Sequence, residues 1–330
     1  MAIAGLLQTS CTGSDAALDP DFPLSIVVGD RPGPTVALVA GVHGGKVAAV
    51  HAAESLAVLL PGRIRTGRVL ILAPANVAGF RAGLAQMSPL DSLNLNRIFP
   101  GDSAGTPTQR LAARIMRDIV AKSDYLVDIH GSDGEESVGS FAYAARPGLN
   151  PRVDSLARWM AERWEVESIV WDQGGPRLLA ESRFLQTAAH LSDVPAITVF
   201  EPGATQESPV ATARFVQGSL RLLAALGVVD SGLADWRGGR AGENRNMRQV
   251  LDARLVLSDS GAGRWQPRTR ADAWVSPGDL LGTWRNAAGQ ESQLRASRAG
   301  VVLHLRHGGE LPARTPLVIL GLRQGDDLSP

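Results

Sequence analysis

The sequence predicts an α/β fold whose main sheet is buried on both faces, followed by a smaller β-rich unit. Two patterns carry the first part: apolar runs of strand length end in turn residues, and stretches of helical texture separate them. The second part rests on a change, beyond about residue 230, to short β-like runs between turns rich in Gly and Pro.

The first strand reads Thr35-Val-Ala-Leu-Val-Ala-Gly41 and runs into Val42-His43-Gly44-Gly45. A stretch rich in Ala, Leu and Val predicts a helix from about Lys46 to Leu60, and Arg68 to Pro74 reads as the second strand. Gln109 to Ala121 predicts a helix, Tyr125 to Ile129 a third strand, and Arg152 to Trp164 and Leu178 to Ser192 two more helices. Ala196-Ile-Thr-Val-Phe200 is the next strand, and a helix from about Val210 to Leu226 closes the first unit. The Gly- and charge-rich stretch Trp236–Asn246 reads as a boundary loop, dividing the chain into residues 1–230 and 231–330. Beyond it, Val250 to Val256, Asp272 to Val275, Gly300 to Leu305 and Pro316 to Leu322 are β-like, with turns at Pro277-Gly278-Asp279 and His307-Gly308-Gly309.

The chain has 330 residues, 33 Lys and Arg against 33 Asp and Glu, and no net charge, so nothing marks it for nucleic acid or an anionic membrane surface. A small, specific ligand fits this balance better. Cys11 is the single cysteine, which excludes an internal disulfide framework and a Cys-x-x-Cys metal site and suits a reducing cytoplasm. The start, Met1 to Leu7, lacks a basic segment, and Gln8-Thr9-Ser10 is a poor lipoprotein context for Cys11. No run approaches the ~18 apolar residues of a membrane span. Oligomeric state leaves no mark in the sequence.

Ligands of open α/β sheets bind beyond the carboxyl ends of the strands. Four polar clusters fall at such ends or in a linking loop: His43; Asn94-Leu-Asn96-Arg97; Asp128 with His130 and Asp133; and Glu201 before Pro202-Gly203. Each residue taken singly has an ordinary structural reading, as a hydrogen-bonded loop histidine, a turn carboxylate or a solvated ion pair. Their joint placement at one rim is what points to a site.

Taken together, the order resembles the succinylglutamate desuccinylase and aspartoacylase family of carboxypeptidase-like enzymes. The matching stretches are Gly41-Val-His-Gly44 before a helix, Asn96-Arg97-Ile-Phe-Pro-Gly101, Asp128-Ile-His130 and Ala196 to Gly203, with Gly33-Pro-Thr-Val-Ala-Leu and Pro277-Gly-Asp-Leu-Leu-Gly282 beside them. The resemblance implies a three-layer domain with a mainly parallel sheet and a small C-terminal all-β domain. It also implies deacylation of a small carboxylate-bearing N-acyl amino acid at a zinc held by two histidines and a carboxylate. By it, His43 and His130 are metal ligands and Asp128 orients a ligand histidine. Glu201 is the proton-transfer group, and Asn96 and Arg97 grip the substrate carboxylate. No organic cofactor is implied.

This chain departs from that pattern at the site itself. The family places a glutamate ligand three residues after the first histidine, whereas this chain reads His43-Gly44-Gly45-Lys46. At ~5 Å and an effective dielectric near 20, an ammonium facing a zinc ion is repelled by roughly 6 kcal/mol. Four outcomes stay open. Lys46 turns away while Asp133, Glu135 or Glu136 substitutes; Lys46 is carbamylated; Lys46 replaces the metal as cation, base or nucleophile; or the pocket binds without catalysis. Asn94 stands where aspartate is usual, and Gly83 to Ser88 lacks the arginine that polarises the carbonyl, Arg81 lying several residues early. His51 with Glu54 reads as a surface pair, His304 and His307 as exposed strand and turn residues, and Gly174-Gly175 lacks the rest of a phosphate loop.

Overall fold

The structure is a computed structural model that describes residues 19–132, 134–203, 207–235, 249–258 and 261–323. Cys11, Asp133 and the boundary loop Trp236–Asn246 lie outside these. In chain order the first elements are β1 (Leu24–Val28), β2 (Arg31–Ala40), α1 (Val47–Leu59), β3 (Thr66–Leu72), α2 (Val77–Arg81), α3 (Pro107–Asp118) and β4 (Tyr125–Ile129). There follow β5 (Glu136–Val138), β6 (Phe141–Ala145), α4 (Pro151–Trp164), β7 (Ser168–Asp172), α5 (Leu185–Leu191), β8 (Ala196–Phe200) and α6 (Pro209–Ala225).

The last part is all strand: β9 (Gln249–Leu251), β10 (Ala253–Ser258), β11 (Gly263–Pro267), β12 (Trp274–Val275), β13 (Leu280–Asn286), β14 (Glu291–Arg295), β15 (Gly300–Arg306), β16 (Gly309–Leu311) and β17 (Pro316–Leu322).

The main sheet runs β1-β3-β2-β4-β8-β6-β7-β9. Its neighbours are parallel except β1 with β3 and β6 with β8, so the mainly parallel sheet implied by the sequence is present. β2 shows why it is covered on both faces. Val36, Leu38 and Ala40 join a core with Ala49, Leu56, Trp164 and Phe215 of α1, α4 and α6. The alternate residues Ala37 and Val39 join a second core with Leu95, Phe99, Ile115 and Leu185. Period-two alternation with both sets apolar requires a layer on each side. Each Leu or Ile so removed from water contributes about 1.5–3 kcal/mol.

Helix starts follow local chemistry. At α3, Pro107 occupies the first turn and the Gln109 side chain accepts from the Thr106 N–H at 2.9 Å, which begins the helix two residues before the sequence pattern does. Asn150 caps α4 through the N–H groups of Arg152 and Val153, and Ser208 caps α6 through that of Ala211. The single helix expected over Leu178–Ser192 is instead a 3-10 turn, Leu179–Glu181, and then α5. Arg183 breaks it, with φ of 59° and a β-bridge to Phe99, while the Ser182 hydroxyl donates to the Phe99 carbonyl at 3.0 Å.

The C-terminal strands form a sheet β10-β17-β15-β12, with β5 added against β15, and a second sheet β14-β13-β11-β16. Trp265, Trp284, Val302 and Leu320 are buried between them. A smaller cluster of Val138, Phe141, Leu251, Val301 and Leu303 sits where these strands meet the main sheet. Gln249–Leu251 lies at the edge of the main sheet, while Glu136–Val138, from the loop after His130, pairs with His304–Arg306. Among the described residues no helix is long and apolar enough to cross a membrane.

Candidate active site

β2 is followed by Gly41, whose φ of 73° makes the turn that lifts His43 over the sheet rim. Gly44 follows where no side chain fits, because a Cβ there would stand 2.3 Å from the Gly79 carbonyl carbon. β4 brings His130 to the same rim. The imidazoles of His43 and His130 lie edge to face with centroids 4.9 Å apart, and both residues are buried. The expected meeting of these two histidines is therefore what the fold produces.

Asn94 reaches them from the loop after α2. Its Oδ1 accepts from the Asn96 N–H at 2.9 Å, which fixes that atom as the oxygen, and it stands 2.9 Å from His43 Nε2. The His43 nitrogen must therefore be the donor. Asp128 Oδ1 is 3.3 Å from His130 Nδ1, and its other oxygen takes a long hydrogen bond from Thr198 at 3.4 Å. Asn96 is buried and accepts from the Leu185 N–H, while Arg97 is exposed, with its guanidinium 4.8 Å from the centre of the Phe184 ring.

These groups open onto a cavity of about 720 Å³, whose walls include His43, His130, Asn96, Arg97, Phe200 and His304. Leu84 to Met87 form another part of the wall, whereas Arg81 is turned out to Asp21 at the surface. His304, read from sequence as an exposed strand residue, is corrected by the structure. It is half-buried, pairs with Glu136 at 3.2 Å and sets its ring against Phe141 and Phe200. Only the pairing of β5 with β15 brings it there, and no local signal encodes that. His307 is exposed, as expected, and His51 and Glu54 lie on the outer side of α1.

Lys46 and Glu201 stand behind the wall and are not among the cavity-lining residues. Lys46 is fully buried just before α1, and Nζ donates to the carbonyls of Gly131 at 2.7 Å and Ser132 at 2.5 Å. A cation at a helix N-terminus opposes the macrodipole, and these acceptors offset part of that cost. Glu201 is buried as well. Thr198 and Phe200 face the cavity, so alternation along β8 sends the next side chain elsewhere. There Glu201 accepts from the Ser140 hydroxyl at 3.1 Å and from Arg214 at 3.1 Å. Burial pushes its carboxyl up to about 7, with Arg214 and Ser140 only partly offsetting this.

A zinc of the implied kind needs three protein ligands with a carboxylate among them. The described residues do not supply that set. Among the described residues no group of three His, Cys, Asp or Glu is arranged to hold a metal ion. The sequence offered Asp133, Glu135 and Glu136 as substitutes. Asp133 is outside the described residues, Glu135 is paired with Arg306, and Glu136 with His304.

Comparison with known proteins agrees with the fold and with the family resemblance. The chain belongs to the succinylglutamate desuccinylase/aspartoacylase family, whose catalytic domain matches residues 32–199. It is 35% identical over 138 residues to an N-alpha-acetyl-L-2,4-diaminobutyric acid deacetylase of Halomonas elongata, a match covering 42% of this chain. The chain spans only 40% of the length of that curated relative. Among solved structures, the product-bound ectoine utilization protein EutE (DoeB) of Ruegeria pomeroyi is 24% identical with a TM-score of 0.77, over 91% of this chain and 88% of that one. A succinylglutamate desuccinylase/aspartoacylase of Rhodobacter sphaeroides is 22% identical with a TM-score of 0.78, over 92% and 90%. These likenesses show the three-layer fold with its C-terminal sheets.

Proposed function

We propose that the chain is a deacylase-type enzyme acting on an amide or related C–N bond of a small, carboxylate-bearing, N-acyl amino-acid-like molecule. One observation carries the reading: a single cavity is lined both by Arg97 with Asn96 and by the His43–His130 pair. A guanidinium at the rim suits the carboxylate of such a ligand. Its acyl carbonyl would then reach toward the imidazoles.

Cleavage adds the oxygen of a water to the carbonyl carbon, breaks the C–N bond and passes a proton of that water to the departing nitrogen. Asp128 at Nδ1 sets His130 in the tautomer whose Nε2 carries the lone pair, the form that accepts such a proton. His43, with its Nε2–H on Asn94, is held in a fixed orientation beside it. Glu201 could enter proton transfer by leaving Ser140 and Arg214; His130 needs no such movement. The reading includes a cytoplasmic location and a division near residue 230 into a catalytic and a smaller β-rich unit, both resting on composition.

The test is release of primary amine from N-acetyl-L-2,4-diaminobutyrate, an N-acyl aspartate and N-succinylglutamate, with binding of each followed by calorimetry. Turnover of at least one, abolished by His130→Ala, is the expected result; neither turnover nor binding of any would refute the reading. A second reading is favoured by Lys46 in place of a carboxylate and by Glu201 turned to Arg214: a binding protein that keeps the pocket without hydrolysis. Saturable binding with no amine released would establish it.

A further inference from the structure

We infer that Lys46 replaces a metal ion as the bond between the two histidine-bearing segments, and that the site works without a divalent cation. This does not depend on which amide is cleaved.

In a site with ligands on the loop after β2 and at the end of β4, a metal ties the two segments together. Here the tie is made by a side chain. Lys46 belongs to the same turn as His43, its N–H bonded to the His43 carbonyl at 3.3 Å, and its Nζ reaches the carbonyls of the two residues that follow His130. The ammonium thus spans from one histidine segment to the other.

The side chains around the imidazoles have partners of their own. His43 Nε2 faces Asn94, a neutral amide. The aromatic ring of Phe200 meets His130 edge to face, with centroids 5.3 Å apart, and is itself stacked on Phe141 at 4.4 Å. Asp128 engages His130 Nδ1 and Thr198. Glu201, Glu135 and Glu136 each hold a cationic or imidazole partner of their own. A dication set among these groups would be repelled by the ammonium of Lys46, three residues along from His43, and among the described residues no group of three His, Cys, Asp or Glu is arranged to hold it.

The experiment is metal analysis of the full chain purified without chelator, with zinc titration by calorimetry, beside amide hydrogen exchange of the wild type and Lys46→Met. Expected are less than about a tenth of a zinc per chain, no saturable zinc binding, and faster exchange in Lys46→Met at residues 131 and 132 and at the start of α1. About one zinc per chain, lost in His43→Ala, His130→Ala or Asp133→Ala, would overturn the proposal. So would unchanged exchange in a folded Lys46→Met. Metal content and exchange are read without substrate, so their outcome stands apart from that of the turnover assay.

Discussion

Phe200 and Glu201, neighbours at the end of β8, serve opposite sides of the wall: the ring meets His130 edge to face in the cavity, and the carboxylate lies on Arg214 and Ser140 behind it. This arrangement governs how the protein responds to pH. Glu201 has its carboxyl raised by burial to about 7, against an ordinary value of 4.5. The folded state therefore holds a proton that the unfolded chain has released. The stability this gives is full below pH 4.5 and is lost as pH rises through 7, on the order of 3 kcal/mol in all. Urea midpoints measured from pH 4.5 to 8 should fall over this window, and Glu201→Gln should flatten that fall.

Arg97 is exposed and leans on Phe184, so its removal should leave the fold intact. Losing a two-pronged contact to a carboxylate should weaken substrate binding by about 10²-fold in Arg97→Ala. Arg97→Lys should recover only part of this, because an ammonium cannot reproduce the fork. Calorimetry with a substrate found in the amine-release assay checks both.

Asp91 accepts from the Thr108 N–H at 2.8 Å and its hydroxyl at 2.6 Å, and so pins the loop that carries Asn94, Asn96 and Arg97 to the start of α3. Burial raises its pKa, but hydrogen bonds from Thr106, Thr108 and Leu93 outweigh this and bring it down to about 2. Its contribution is present above pH 3.8 and is lost as pH falls toward 2. Asp91→Ala should cost about 1–2 kcal/mol at neutral pH and should weaken ligand binding as the loop loosens. Urea denaturation reads the first effect and calorimetry the second.

Phe141 is buried, stacked on Phe200 and set edge-on to His304. Phe141→Ala should destabilise by about 3–4 kcal/mol through lost contact and the cavity left behind. Amides of β15 should then exchange faster in the same variant.

In the main sheet the legible strands were β2, β3, β4 and β8, because central parallel strands covered on both faces read as near-continuous apolar runs, and beyond it β10, β12, β15 and β17 fall on the β-like runs of the sequence. β6 and β7 escaped notice: Phe-Ala-Tyr-Ala-Ala and Ser-Ile-Val-Trp-Asp are short and mix polar with apolar residues. The histidine pair was legible from strand ends, since the sheet's topology fixes where such ends gather. His304 and Asp91 were not, for each acts across a distance in sequence that only tertiary pairing closes. The direction of Glu201 was within reach, because if Thr198 and Phe200 share one face of a strand, residue 201 cannot.

The pairing of Glu136–Val138 with His304–Arg306 makes the segment leaving His130 a rung of the C-terminal sheet. A chain cut before residue 249 would therefore lose more than an appendage. It would strip the partner from that rung, expose Phe141 and Phe200 to water, and unroof the chamber that holds the imidazoles, so the two parts should denature as one.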